Sequence, residues 1–209
     1  MKTLARLGMT LAACALSSAA VRAADVSPEL ARSAQQLAAT TCATCHGVSG
    51  RSTSPTFPNL AAQTAAYLQA QLHAFRDQTR ADPDALAYMW GMASQLSDAT
   101  IEALSAYYAA QAASPAKTGD EKLMARGKQI FTQGLTAQGI PACASCHGPQ
   151  ARGNNIFPRL AGQHADYLVK QMLVIQSALR AAPVMHGVIK DLRQAQMRDI
   201  ATYLESLGS

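Results

Sequence analysis

The sequence predicts an all-α protein made of two tandem copies of one small helical unit, and three observations predict it. Apolar residues recur at helical spacing along most of the 209-residue chain, with no alternating stretch long enough for a strand. A block in the first half recurs in the second at an offset of one hundred residues. Each copy also carries the same pairing of two cysteines and a histidine.

Composition narrows the class. With 49% hydrophobic and 15% charged residues the chain is too apolar to be a disordered polar polymer. It has no run of eighteen apolar residues, which argues for a soluble rather than a membrane-spanning protein. Much of the apolar content is alanine, which favours helix but buries little area. A unit of about 90 residues built from it has a thin core and needs another apolar body to complete it.

The elements follow in order. Lys2 and Arg6 precede an apolar stretch from Leu7 to Val21, and Val21-Arg22-Ala23 provides small residues for cleavage, so residues 1–23 read as a secretory signal. The competing reading is a lipoprotein signal at Leu11-Ala12-Ala13-Cys14, in which Cys14 would be acylated. Ser27 caps a helix with Pro28 at its first position, leading toward Cys42. Tyr67, Leu68, Gln71, Leu72 and Phe75 share a helical face. So do Ile101, Leu104 and Tyr108, after a Ser97 cap. Residues 112–119 are small and proline-containing, followed by a capping box of Thr118 with Glu121. The boundary between copies falls near Ser114, giving units 24–113 and 114–209.

The repeat is specific. Phe57-Pro58, Leu60-Ala61, Gln63, Ala65, Tyr67-Leu68 and Gln71 recur as Phe157-Pro158, Leu160-Ala161, Gln163, Ala165, Tyr167-Leu168 and Gln171. After a four-residue deletion, Met89, Gly91, Leu96 and Tyr107 recur as Met185, Gly187, Leu192 and Tyr203.

The chemistry lies in Cys42-Ala43-Thr44-Cys45-His46 and Cys143-Ala144-Ser145-Cys146-His147, each followed by glycine. This is the spacing of a haem c attachment site. On one helical turn, positions i and i+3 share a face, so two thiols can each form a thioether with a haem vinyl group. The histidine at i+4 then sits under the iron as proximal ligand. A redox CxxC or half a zinc site requires no histidine directly after the second cysteine. Two covalently bound haem c groups would supply the apolar bodies that alanine does not.

The sixth iron position decides function, because methionine closes it while an open site permits oxygen or peroxide chemistry. Of eight methionines, only Met89 and Met185 occupy equivalent positions. Met92 competes locally, but its counterpart is Val188. His73, His164 and His186 lack histidine counterparts, at Leu173, Thr64 and Trp90, and read as surface or satisfied polar residues; His186 adjoins Met185 and could modulate it.

Together these residues resemble the di-haem cytochrome c4 family, two class I cytochrome c domains in tandem, over essentially the whole mature chain. Phe57-Pro58-Asn59-Leu60-Ala61 and Phe157-Pro158-Arg159-Leu160-Ala161-Gly162-Gln163-His164 match the family's segment between attachment site and long helix. Gly139-Ile140-Pro141-Ala142 resembles the second domain's entry loop. The resemblance implies that the carbonyls of Pro58 and Pro158 accept the proximal histidine's Nδ1 hydrogen. It implies a glycine and aromatic helix crossing at Gly127 and Phe131, with no such pair in the first copy. It also implies a last helix beginning at Leu96-Ser97-Asp98, whose second copy, Leu192-Arg193-Gln194, lacks the capping serine.

In function, the resemblance implies a periplasmic electron carrier, soluble or loosely membrane-associated. It would take electrons from a quinol-oxidising complex or a dehydrogenase and pass them to a haem-copper oxidase or other acceptor. The irons would be held by His46 and Met89 and by His147 and Met185, with no substrate bond chemistry. An alternative is the haem subunit of a dehydrogenase complex, such as a flavocytochrome that oxidises sulfide. A haem enzyme would need a displaceable ligand or a free cysteine, and the mature chain has no cysteine to spare.

The formal charge of +5 shrinks once residues 1–23 leave, to 15 basic and 13 acidic side chains, which removes the case for nucleic acid. Four haem propionates, about one charge each, would bring the holoprotein near −2. The first unit has four basic and seven acidic residues and the second has eleven and six, an asymmetry that could orient the molecule between two partners.

Overall fold

The computed structural model describes residues 26–208, so the export segment, with its cleavage site and Cys14, lies outside the described residues. The Ser27 hydroxyl accepts from the Leu30 N–H at 3.3 Å and opens α1 (Pro28–Leu37). The helix widens into a π turn, Ala38–Cys42, and runs on into α2 (Ala43–His46). Thr64 caps α3 (Ala65–Arg76). A second π turn, Ala85–Met89, leads into α4 (Trp90–Ala93), and Ser97 caps α5 (Asp98–Ala109). Both π turns end at a candidate functional residue, Cys42 or Met89, and such wide turns are frequent at functional sites.

The second unit repeats the plan in α6 (Glu121–Gln133), α7 (Ala144–His147), α8 (Ala165–Gln176), α9 (Pro183–Ile189) and α10 (Gln194–Glu205). Among the described residues the only strand-like pairings are the isolated bridges Leu135 to Ile140 and Asn154 to Phe157.

Two helix starts differ from the sequence reading. Asp120, not Thr118, caps α6, accepting from Lys122 N–H at 2.9 Å and Leu123 N–H at 3.0 Å. An aspartate one residue before the first turn satisfies two orphan donors, which Thr118 is placed too early to reach. At α10 the missing serine is replaced from within, since Gln196 Oε1 accepts from the Arg193 N–H at 2.9 Å.

The terminal helices cross differently in the two units. In the second, Gly127 lies against the Asp199 carbonyl, so close that a Cβ would clash with it, and fully buried Phe131 packs on Tyr203. In the first, Ala34 and Ala38 do this work against Leu104 and Tyr108. Side chains in the second unit form one apolar cluster, whereas those in the first form two, around Leu68 and around Phe75.

A pseudo-twofold exchange joins the units. Asn59 N–H donates to Gln163 Oε1 at 2.8 Å and Arg159 N–H to Gln63 Oε1 at 2.7 Å. In return, Gln63 Nε2 donates to the Arg159 carbonyl and Gln163 Nε2 to the Asn59 carbonyl, both at 3.0 Å. Thr64 Oγ1 donates to the Asn155 carbonyl at 2.5 Å, and at the equivalent position His164 Nε2 meets the Ser52 carbonyl at 3.0 Å. His164 is thus a buried, satisfied residue of the contact, with Lys117 Nζ 3.2 Å from its Nδ1.

Two outcomes follow. Gly127→Ala gains helix propensity worth about 1 kcal/mol but forces a Cβ into a backbone carbonyl, so it lowers stability by a net ~1–3 kcal/mol, read from the urea midpoint at unchanged slope. His164 is held below its ordinary 6.5 first by burial, then by the Lys117 ammonium, against the Ser52 carbonyl and Glu205. A depressed histidine leaves the unfolded chain binding more protons, so its contribution is complete above pH 6.5 and lost as pH falls below that value. The loss in the wild-type holoprotein between pH 7.5 and 5 should therefore shrink in His164→Thr.

Candidate haem sites

Each site is built from one helical turn and the loop that folds back beneath it. In the first unit Cys42 ends the π turn, Cys45 follows one turn later on α2, and His46 closes that helix before Gly47 reverses the chain at φ 74°. A side chain at Gly47 would strike the Arg51 carbonyl, so glycine is required for the loop to return. In the second unit Cys143, Cys146, His147 and Gly148, at φ 80°, repeat the arrangement.

Both histidines are buried and point one ring nitrogen at a carbonyl: His46 Nδ1 lies 3.0 Å from the Pro58 oxygen, and His147 Nδ1 lies 3.0 Å from the Pro158 oxygen. That bond fixes the tautomer with hydrogen on Nδ1 and leaves Nε2 as the metal-binding lone pair. Burial pushes both imidazoles below their ordinary value, with the proline carbonyl pulling partly back, so both are neutral and ready to ligate near pH 7. Phe57 and Phe157 stand edge-on to the rings, with centroids 6.1 and 6.4 Å away. The repeated Phe-Pro pair therefore acts as one bracket, the proline orienting the imidazole and the phenylalanine bounding it.

Met89 is half-buried against the cluster of Phe75, Ala85 and Ala93, and Met185 packs on the core of the second unit. Met92 is 58% exposed. His73 lies on the outer surface with Arg76 and Asp98, and His186 Nδ1 is engaged 2.9 Å from the Ile175 carbonyl. Neither joins the attachment turn.

The donor set fits a covalently held haem in each unit. Two unpaired thiols share a face, an oriented neutral imidazole follows, and a half-buried thioether is available on a later segment. Sequence reasoning missed Arg80 and Arg180, which lie between the units on shared glutamines. Their signal was present, since they too recur at an offset of one hundred.

Comparison with known proteins agrees with this architecture. The cytochrome c family profile matches twice, over residues 31–110 and 124–208. Cytochrome c4 of Pseudomonas aeruginosa is 34% identical over 212 residues, covering 99% of this chain and 98% of its own. The cytochrome c4 structure from Acidithiobacillus ferrooxidans superposes with a TM-score of 0.75 at 41% identity, covering 79% of this chain and 98% of that one. A thiosulfate dehydrogenase electron acceptor from Thiomonas intermedia is 35% identical, covering 79% of this chain and 78% of its own.

Proposed function

The chain belongs to the cytochrome c family, as a di-haem electron carrier of the cytochrome c4 type with two covalent haem c groups, and from that premise we propose that it works in the periplasm between the respiratory chain and a terminal oxidase. When bound, each haem supplies an iron that takes up and releases one electron. Cys42, Cys45, Cys143 and Cys146 anchor the two groups; His46 and Met89 hold the first iron, and His147 and Met185 the second. The domains are 24–113 and 114–209, after removal of residues 1–23. The observation that carries this reading is the duplicated constellation itself, in which both histidines meet a proline carbonyl at the same 3.0 Å and both copies bring a half-buried methionine.

The residues' work is to hold the iron still. An imidazole fixed by a backbone carbonyl and flanked by phenylalanine does not have to reorient when the charge changes, which keeps the cost of each transfer low. Met89 and Met185, as the second protein ligands of a bound haem, would raise its potential and leave no place for a substrate.

A second reading is favoured by the likeness to the thiosulfate dehydrogenase electron acceptor, in which this chain receives electrons from one dehydrogenase partner. The two readings share every residue and differ in the donor. Stable co-purification with a dehydrogenase and rapid reduction by it would select the second.

Two measurements test the proposal. Met89→Ala and Met185→Ala should each remove about half of the sulfur-to-iron charge-transfer band of the oxidised protein, while Met92→Ala keeps it whole; a band unchanged in Met89→Ala overturns the first assignment. The opposite balances of the two units should make transfer with charged partners fall steeply as salt shortens the screening length from about 30 Å at 0.01 M to about 8 Å at 0.15 M. Rates insensitive to salt with both donor and acceptor would refute electrostatic orientation.

A further inference from the structure

The segments that carry the two candidate methionines are each tied down twice. Met89 ends the π turn Ala85–Met89, and Met185 lies in α9. In both units the residue directly after the methionine sends a ring N–H to a backbone carbonyl earlier in its own unit. Trp90 Nε1 donates to the Arg80 carbonyl at 2.8 Å, and His186 Nδ1 donates to the Ile175 carbonyl at 2.9 Å. A ring nitrogen that faces a carbonyl must carry the hydrogen, which fixes the His186 tautomer.

The second tie closes the far end of each segment. Arg76, the last residue of α3, donates from Nη1 to the Leu96 carbonyl at 3.1 Å. Gln176, the last residue of α8, holds its Nε2 amide 3.0 Å from the carbonyl of Leu192, the repeat counterpart of Leu96. The same amide reaches the carbonyls of Ile189 and Lys190, at 3.0 and 2.9 Å, where α9 ends. The donors differ between the copies, tryptophan against histidine and arginine against glutamine. What the copies share is one side-chain donor near the methionine and another at the leucine that follows it.

The carbonyls near the methionines belong to rigid parts of the fold. The Arg80 N–H donates to the Ala74 carbonyl at 3.1 Å, and its guanidinium lies 4.6 Å from the centre of the Phe75 ring, against which Met89 and Trp90 also pack. Ile175 is a buried residue of α8.

We propose that Trp90 and His186 are positioning residues for the sixth iron ligand, each keeping its methionine segment closed through the ring N–H. The inference rests on the assignment of Met89 and Met185 as ligands under the proposed function. A thioether leaves an iron only if its segment swings away, and the frequency of such a local opening falls with each contact that must break first. A donor on a fixed carbonyl beside the ligand therefore acts on the ligand without touching the iron.

The test mixes the oxidised holoprotein with excess imidazole near neutral pH and follows the loss of the sulfur-to-iron charge-transfer band in time. The imidazole nitrogen replaces the methionine sulfur on the ferric iron, one bond forming and one breaking with no change of oxidation state. Met89→Ala and Met185→Ala each remove one phase and so assign the two. Trp90→Phe keeps a ring and loses the N–H; it should speed the first-haem phase about three- to tenfold and leave the second at the wild-type rate, and His186→Phe should do the reverse. Trp90→His and His186→Asn return an N–H and should recover most of the wild-type rate, which a loss of packing alone would not. An unchanged first phase in Trp90→Phe, or both phases faster in either phenylalanine variant, overturns the proposal. Should His186→Phe fail to fold, Trp90→Phe together with Trp90→His decides. If Met89→Ala retains both phases, the ligand assignment fails and the proposal falls with it; if the methionine variants assign the phases and the ring variants leave them unmoved, the anchoring alone fails.

Discussion

Both thiols and the imidazole of each site come from a single helical turn, and the rest of each unit is arranged around that compression. A turn that ends in the imidazole must be followed by a sharp reversal, which Gly47 and Gly148 supply at positive φ. The returning loop then brings the carbonyl of Pro58 or Pro158 under the ring it must orient. The long helices α3 and α8 start directly after that loop, and the methionine segments follow them. An alanine-rich chain gains little from burying its own side chains. What it gains instead is close approach of helices, as at Ala34 and Ala38 against Leu104 and Tyr108, with two haem groups to complete the interior.

The sequence made some of this plain and left some of it opaque, for identifiable reasons. The attachment turns and the caps at Ser27 and Ser97 were legible because local spacing alone determines them, whereas the proline carbonyls beneath His46 and His147 were legible only through the family resemblance. The α6 start reads two residues early in the sequence because two competent caps, Thr118 and Asp120, stand only one residue apart from each other across Gly119, and backbone geometry alone chooses between them. Gln63, Gln71, Tyr67 and their counterparts were visible as repeats, but not as an interface, since pairing across one hundred residues leaves no local period. His164 was readable only as a satisfied polar residue; its partners, Ser52, Lys117 and Glu205, come from three separate segments.

The interface matters as much as the sites. Its central bonds run between side-chain amides and backbone of the opposite unit, so a tilt of one domain would break four of them at once. Lys170 adds an ion pair to Asp84 across the same boundary. Buried hydrogen bonds are costly to leave unmade, which gives the contact its rigidity. The contact thereby holds the two attachment turns in a fixed relation.

The quasi-twofold contact has the form that two identical subunits adopt when they associate. In a homodimer every substitution appears twice, once on each side of the axis, and the two halves are bound to remain alike. Joining the copies through residues 112–119 lifts that restriction. Asp82 opposite Ala182, Lys170 opposite Ala70, and His164 opposite Thr64 are differences that only a fused pair can hold. Covalent linkage thus gave this molecule a direction: a symmetric pair has no first and second member, and this one does.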